Sequence, residues 1–509
     1  MLSKVLSSTV VGMDAHLIEV EVDIGGGLPQ FSVVGLPDVT VKESRDRVRA
    51  ALKNTGFSFP IKRITVNLAP ADLRKEGSGL DLAIAIGLLV AEEIVSREAV
   101  ADKVFIGELS LDGQVKPVPG ALAMSIAVGP TRTLIVPADN AVEAAMIEGT
   151  RVVSVRTLPE VVAWLQGQRD IQPTIVDRES YLTGSDQDYD DFADVKGQGH
   201  AKRALEIAAA GGHNVLMVGP PGSGKTMLAR RVSGILPPFE LDEALETTRI
   251  YSCAALLDGQ APLITARPFR APHHSISDAG LIGGGVIPRP GEISLAHQGV
   301  LFLDEVLEFK RHVLDGLRQP LEEGVLLLTR ANASVRYPAR VMLIAAMNPC
   351  PCGYYGDRSR ECLCTPYQIR RYRGRLSGPL HDRLDLHIEV PPVSIQDLGR
   401  NGPVAESSVS IRARVVEARA RQRARYRKEG WLTNTQLKPK QLSKYCALNE
   451  EAHSLIEQAM ARLGLSARAY GRILRVARTI ADLAGTELIA AAHVAEAVQY
   501  RSLDRKVEG

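Results

Sequence analysis

Along the first 168 residues, apolar runs with strand-like alternation are interleaved with stretches of helical spacing. "LIEVEVDI", "QFSVVGLP", "ITVNLAP" and "TLIVPA" predict strands, while Val41–Thr55 and the segment after Leu80 predict helices. That alternation is the pattern of one α/β domain. Between Gln168 and Asp191 it lapses into "QPTIVDRESYLTGSDQDYDD", polar and acidic without periodicity, which predicts a linker over 169–191. A second α/β alternation occupies 192–393, and from Ser407 to Tyr500 the spacing is helical with few Gly or Pro. The expected division is therefore 1–168, 169–191, 192–393 and 394–509, consistent with about three cores in a chain of 509 residues.

Composition narrows the class. Hydrophobic residues at 45% and charged residues at 24% are ordinary for a soluble globular protein. A net charge of +2 excludes a globally basic nucleic-acid coat, so any DNA contact must be local. No apolar run approaches the roughly 20 residues of a membrane span, so no membrane partner is expected. The N-terminal apolar stretch is broken by Asp14 and reads as a first strand rather than a signal peptide. Six cysteines without a secretion signal fit reduced thiols or a metal in a cytoplasmic protein.

The strongest chemical signal is "NVLMVGPPGSGKTMLARRV". An apolar strand, Val215–Val218, precedes G-x-x-x-x-G-K-T, and a helix follows. In this context the backbone of Gly219, Pro220, Pro221, Gly222, Ser223 and Gly224, running into Lys225, Thr226 and Met227, is expected to hold ATP phosphates. Lys225 would reach the β/γ-phosphates and Thr226 would hold Mg²⁺. "GVLFLDE" supplies the second half, with Asp304 for Mg²⁺ and Glu305 to polarise a water. A chance glycine-rich turn explains the first pattern alone but not the pair.

The run from "DVKGQGHAKRALEIAAAGGH" through "FRAPHHSIS", "GEISLAHQGVLFLDE", "AAMNPCPCG" and "SGPLHDRLDLHIEVP" to "RAYGRILRVARTIADL" resembles the magnesium-chelatase-like AAA+ ATPases. Within them the chain is similar to the ComM/YifB subfamily over nearly its whole length. The resemblance implies a P-loop AAA+ core with a helical lid, preceded by an α+β domain like the C-terminal domain of Lon proteases. It implies further that Val195, Gly197 and Gln198 pack beside adenine. Asn348 matches sensor 1, Arg383 an arginine finger supplied to the neighbouring subunit, and Arg468 sensor 2 on the lid. A finger acting in trans implies a ring, and the family a homohexamer. The subfamily resemblance implies a helicase promoting branch migration of heteroduplex in natural transformation, with single-stranded and branched DNA and recombination proteins as partners. Two other classes remain open: a chelatase-type chaperone, which would need a further subunit, and a Lon-like protease.

Other segments leave two readings each. Resembling ATPases place a helix-2 insert at "RPFRAPHHSISDAGLIGGGVIPRPGEISLAHQ" and a pre-sensor-1 hairpin at "EEGVLLLTRANASVRYPARVMLIAAMN". Arg330, Asn332 and Arg336 lie at or beside the hairpin turn and would bond DNA phosphates; the other reading is an edge hairpin blunted with charge. Arg412–Lys428 carries eight Lys/Arg and one acid, either a solvated helix or a phosphate-tracking face. His273 and His274 are better explained as hydrogen-bonded loop residues than as ligands. In the first domain Ser78 lies near the Lon nucleophile position, but Leu122 stands where the lysine base should be, so no peptidase activity is expected. Cys350, Cys352, Cys362 and Cys364 form C-x-C-x₉-C-x-C, which favours a structural Zn²⁺ knuckle over a redox pair or inert thiols. Cys253 and Cys446 stand alone and are expected in the core.

Overall fold

In the computed structural model the described residues are 1–183, 189–257, 261–285, 288–330, 333–357, 360–393, 405–430 and 433–501. They form two compact units: Met1–Ser185 with Glu240–Thr265 and Thr329–Tyr337, and Asp186–Phe239 with Ala266–Leu328 and Pro338–Gly509.

The first unit starts from a long alternating hairpin. β1 (Leu2–Val11) and β2 (Asp14–Gly25) pair antiparallel in the register Val11↔Asp14, across a turn whose Gly12 has φ +67°. β3 (Gln30–Val34), β4 (Arg63–Ala69), β5 (Lys103–Phe105), β6 (Thr133–Pro137) and β7 (Arg151–Val155) complete a mixed sheet in the order β3-β4-β2-β1-β5-β6-β7. α1 (Val39–Asn54) begins where the Asp38 carboxylate accepts from Val41 N, close to the expected start. In α2 (Asp81–Ala91), which packs on β1 and β2, every residue is buried. A Cβ on Gly87 would stand 2.7 Å from Val22 Cγ2, so only glycine lets this helix approach the sheet. The burial of Asp81 is compensated by Arg47, whose Nε donates to Asp81 Oδ2 at 2.6 Å.

Two segments inside the expected 192–393 stretch fold with this first unit. The helix Leu241–Cys253 packs on α3 (Ala121–Val128): Gly120 N donates to Ser252 O at 3.1 Å, and Arg249 Nε donates to Met13 O at 2.8 Å. Periodicity shows that a helix has an apolar face but not which core receives it. Within the expected linker, Arg178–Thr183 is helical, and Thr174 N donates to Val152 O at 2.8 Å.

The second unit is built on a five-stranded parallel sheet. β8 (Val215–Val218), β9 (Phe269–Arg270), β10 (Val300–Leu303), β13 (Met342–Met347) and β14 (Leu386–Glu389) lie in the order β9-β10-β13-β8-β14. Strands β8, β10 and β13 are apolar and buried at every position, as expected of a parallel sheet covered on both faces. Between β10 and β13 the chain forms the hairpin β11 (Val325–Arg330) and β12 (Ala333–Pro338), matching the strand–turn–strand expectation; its Thr329–Tyr337 stretch is the second segment that belongs to the first unit. Arg336 is exposed on it; Asn332 and the Arg330 side chain lie outside the described residues.

Helices α4 (Gly199–Gly211) and α5 (Lys225–Ile235) pack on β14 and β13, and α6 (Pro366–Arg373) and α7 (Gly378–His381) lie in the chain between β13 and β14. A mostly helical set follows: α8 (Ser408–Tyr426), α9 (Glu450–Leu463), α10 (Ala467–Leu483) and α11 (Ala491–Gln499). α8 packs on α4, α5 and α10, and its arginines hold it there. Arg414 Nε donates to Glu206 Oε1 at 2.5 Å, Arg419 to Ala209 O at 2.9 Å, Arg412 to Gly234 O at 2.9 Å, and Arg425 to Asp482 Oδ2 at 3.0 Å. These four bond within the fold, so the basic run is largely a set of tethers. Among the described residues no helix is long and apolar enough to cross a membrane.

Candidate nucleotide site

The site follows from one local demand: β8 must turn sharply into α5 with its backbone open to a ligand. Gly219 is required because a Cβ there would lie 2.2 Å from Val390 O, and Gly222 and Gly224 sit at φ +76° and +86°. Lys225 opens α5 with its Nζ folded back to donate to Gly219 O at 2.7 Å and Pro220 O at 2.9 Å, with Asn348 Oδ1 at 3.4 Å. Burial pushes the Lys225 pKa below the usual lysine value, opposed by the charges of Asp304 and Glu305. Thr226 Oγ1 donates to Asp304 Oδ2 at 2.7 Å, so the hydroxyl and carboxylate expected at Mg²⁺ already meet. The buried Ser223 hydroxyl has no protein partner among the described residues. A loop of backbone donors, a buried lysine, an unpaired hydroxyl and a Thr–Asp pair is the donor set a magnesium-bound triphosphate needs.

Asp304 directly follows β10, and Glu305 N donates to Asp304 Oδ1 at 3.0 Å. Glu305 itself is held at φ +50°, a left-handed conformation unusual for glutamate. It lines three adjoining cavities. One of about 440 Å³ holds Lys225, Thr226 and Asn348. A second, of about 620 Å³, adds Arg371, Tyr372 and Arg375, and a third, of about 300 Å³, adds Arg230, His273 and His274. Val195 is buried, and Gly197 and Gln198 both have left-handed φ. Gln198 Nε2 donates to Ser223 O at 2.7 Å, which ties this segment to the phosphate loop.

The two arginines expected to act on phosphate line none of these cavities. Arg383, just past α7, pairs with Glu322 and donates to Pro379 O; its Nε is buried without a partner among the described residues. Arg468, at the start of α10, is exposed and lies 3.2 Å from Asp382. Sequence reasoning missed Arg371 and Arg375, whose signal was the basic run "QIRRYRGR" directly after the cysteine loop. It also underrated His274: His273 Nδ1 is hydrogen-bonded within its loop to Ser275, but His274 Nδ1 lies 3.8 Å from Glu305 Oε2.

The four cysteines converge. Their sulfurs all lie within 4.8 Å of one another, with Cys350–Cys352 at 3.3 Å and Cys350–Cys362 and Cys352–Cys362 at 3.6 Å. Tetrahedral metal–sulfur bonds of about 2.3 Å give sulfur–sulfur edges of about 3.8 Å, so the cluster fits a Zn²⁺ ion. Tyr355 N donates to Cys350 Sγ at 3.3 Å. The backbone N–H of Tyr354, assisted by the neighbouring thiols, lowers the Cys352 pKa to about 6. Within the same cluster, backbone N–H groups lower Cys362 and Cys364, but burial and the thiols of Cys350 and Cys352 outweigh them and raise both. Burial pushes the isolated Cys253 and Cys446 thiols up to about 12.

Strand, phosphate loop, helix and a strand-terminal Asp-Glu pair on a parallel sheet define a P-loop nucleotide-binding protein. The profile described as "Magnesium chelatase, subunit ChlI" matches residues 191–398, "Subunit ChlI of Mg-chelatase" matches 20–140, and "Magnesium chelatase, subunit ChlI C-terminal" matches 405–501. The chain is 47% identical to Competence protein ComM of Haemophilus influenzae, over 100% of its own length and 99% of the relative's. It is 46% identical to the protein YifB of Escherichia coli, covering 99% and 98%. Identity to the 38 kDa magnesium-chelatase subunit of Cereibacter sphaeroides is 26%, over 31% of this chain and 52% of that one. The chain belongs to the ComM/YifB family of magnesium-chelatase-like AAA+ ATPases.

Proposed function

We propose that this chain is an ATP-driven DNA motor: a homohexameric, cytoplasmic helicase or translocase that promotes branch migration during recombination in natural transformation. One observation carries the reading, the 47% identity across the entire chain to a relative named for competence. The magnesium-chelatase subunit aligns with only 31% of the chain, so a chelatase-type chaperone is the weaker reading.

In this reading Lys225 leaves the carbonyls of Gly219 and Pro220 for the phosphates, and Thr226 and Asp304 hold Mg²⁺. The ion, when bound, offsets the charge of the phosphate oxygens. Glu305 takes a proton from the attacking water, and Asn348 orients that water from the end of β13. Arg383 must leave Glu322 to serve a neighbouring subunit, which makes that pair a candidate brake on hydrolysis outside the ring. The helices α8–α11 act as the lid that carries Arg468. The first unit is read as a Lon-like but non-proteolytic collar: Ser78 donates to Glu108, not to a lysine, and Leu122 is buried. The cysteine cluster holds a structural Zn²⁺.

Pore contact falls to the β11–β12 hairpin, with Arg330, Asn332 and Arg336 at DNA phosphates. Arg336→Ala is expected to weaken DNA binding and reduce the slope of log affinity against log salt by about one. An unchanged slope in binding titrations removes Arg336 from the contact. The deciding experiment is branch migration on a four-way junction by the wild type beside Glu305→Gln. ATPase activity indifferent to DNA, with no junction movement, overturns the motor reading. Metal analysis of the Cys352→Ser, Cys362→Ser double variant is expected to show loss of the zinc found in the wild type.

A further inference from the structure

The turn after Cys352 rests on the phosphate-binding loop. Gly353 has φ +88°, and a Cβ built on it would stand 2.6 Å from Pro221 Cδ and 2.9 Å from Pro221 Cγ. Pro221 lies within the Gly219–Thr226 loop, so the cysteine knuckle packs against that loop. The same knuckle reaches the hydrolysis side. Asn348 precedes Cys350 by two residues, and Pro351 lines a cavity together with Glu305 and Asn348. From α6, Arg373 Nε donates to Pro349 O at 3.0 Å, and its guanidinium lies over the Tyr355 ring at 5.3 Å.

A metal held by Cys350, Cys352, Cys362 and Cys364 closes the nine-residue loop between the inner pair. Without it, that loop regains conformational freedom, and the surface against Pro221 is no longer fixed. Close-packed contacts transmit such a change because they have no slack to absorb it.

We propose that metal occupancy of the four-cysteine knuckle sets the affinity of the phosphate loop for nucleotide, through the seat of Gly353 on Pro221. The inference rests on the reading that the cluster holds zinc. Linkage then makes the effect reciprocal: whatever factor zinc adds to nucleotide affinity, nucleotide adds to zinc affinity. The knuckle is thereby a regulatory metal site of the ATPase, responsive to zinc supply and to chelators.

The test compares zinc content and the affinity for a non-hydrolysable ATP analogue in full-length wild type, Gly353→Ala and Gly356→Ala. Gly356 shares the loop and has φ +82°, but nothing lies within 4 Å of a Cβ built there. It therefore imposes the same backbone strain without the contact. Gly353→Ala is expected to retain zinc and bind the analogue about tenfold more weakly, whereas Gly356→Ala matches the wild type on both counts. Wild type stripped of zinc by a chelator, with Mg²⁺ restored, is expected to show the same weakening. Saturating analogue is expected to raise zinc affinity by the same factor. Zinc retained with unchanged analogue affinity in Gly353→Ala and in the stripped wild type overturns the coupling and leaves the metal site standing. Equal weakening in both glycine variants assigns the effect to strain and also overturns it. Absence of zinc from freshly purified wild type overturns the metal site and the coupling together.

Discussion

Glu305→Gln lowers the rate of ATP hydrolysis by about 10²–10⁴-fold while nucleotide binding persists. The expectation comes from placement. Glu305 lines all three cavities around the phosphate loop, and its own N–H is anchored on Asp304 Oδ1 at 3.0 Å. The left-handed φ of +50° aims the residue away from the path β10 would otherwise follow. Glutamine keeps the size and hydrogen-bonding reach of the side chain but has no carboxylate to take a proton. In the proposed reading binding depends on Lys225, Thr226 and the loop backbone, none of which the substitution changes. Steady-state phosphate release alongside analogue binding separates the two effects. A rate within threefold of the wild type (roughly 0.6 kcal/mol in barrier height) would assign the base elsewhere, with His274 the nearest alternative.

Asp482→Ala costs about 3–5 kcal/mol of stability in the helical part of the second unit. Asp482 is buried on α10 and accepts from Arg425 at 3.0 Å, Asn434 at 2.9 Å and Arg478 Nε at 3.2 Å. Arg478 is only 1% exposed, so removal of the carboxylate leaves a buried guanidinium with the carbonyls of Thr486 and Glu487 but without its anion. Asn434 also holds Thr479 at 2.9 Å and accepts from Tyr426 at 2.7 Å, which carries the damage to the α8–α10 contact. The measurement is the denaturant midpoint of the transition that reports helix content. A shift equivalent to less than about 1 kcal/mol would mean that solvent reaches Arg478 in the variant and that the network contributes little.

The phosphate site was legible because its chemistry is local: glycines at fixed offsets, a lysine, a threonine and a strand ending in two acids. The cysteine cluster was legible as a candidate from two C-x-C pairs nine residues apart, and the folded loop brings the four sulfurs within 4.8 Å of one another. Non-local partners were not. Glu322 precedes Arg383 by 61 residues, so a side chain expected to face a neighbouring subunit is seen held within its own chain. The basic run on α8 looked open to phosphate because its acceptors, Glu206, Gly234, Ala209 and Asp482, come from distant segments. Arg371, Arg375 and His274 lie in segments the sequence does flag, "QIRRYRGR" and "FRAPHHSIS", but only the fold sets the two arginines beside Glu305 and Asn348 and the histidine beside Glu305.

The first unit is assembled from three separate stretches, so the chain passes between the two units five times. This changes how the protein can be dissected. A fragment ending at residue 168 omits the helix Leu241–Cys253 and bares the face of α3 on which it packs, along with the backbone acceptor at Met13. Val335, whose Cγ1 approaches the Gly12 turn, is lost as well. Expression trials based on a linear domain map would therefore yield an incomplete core. Any study of the first unit in isolation requires the two later stretches to be grafted back, or the whole chain to be kept.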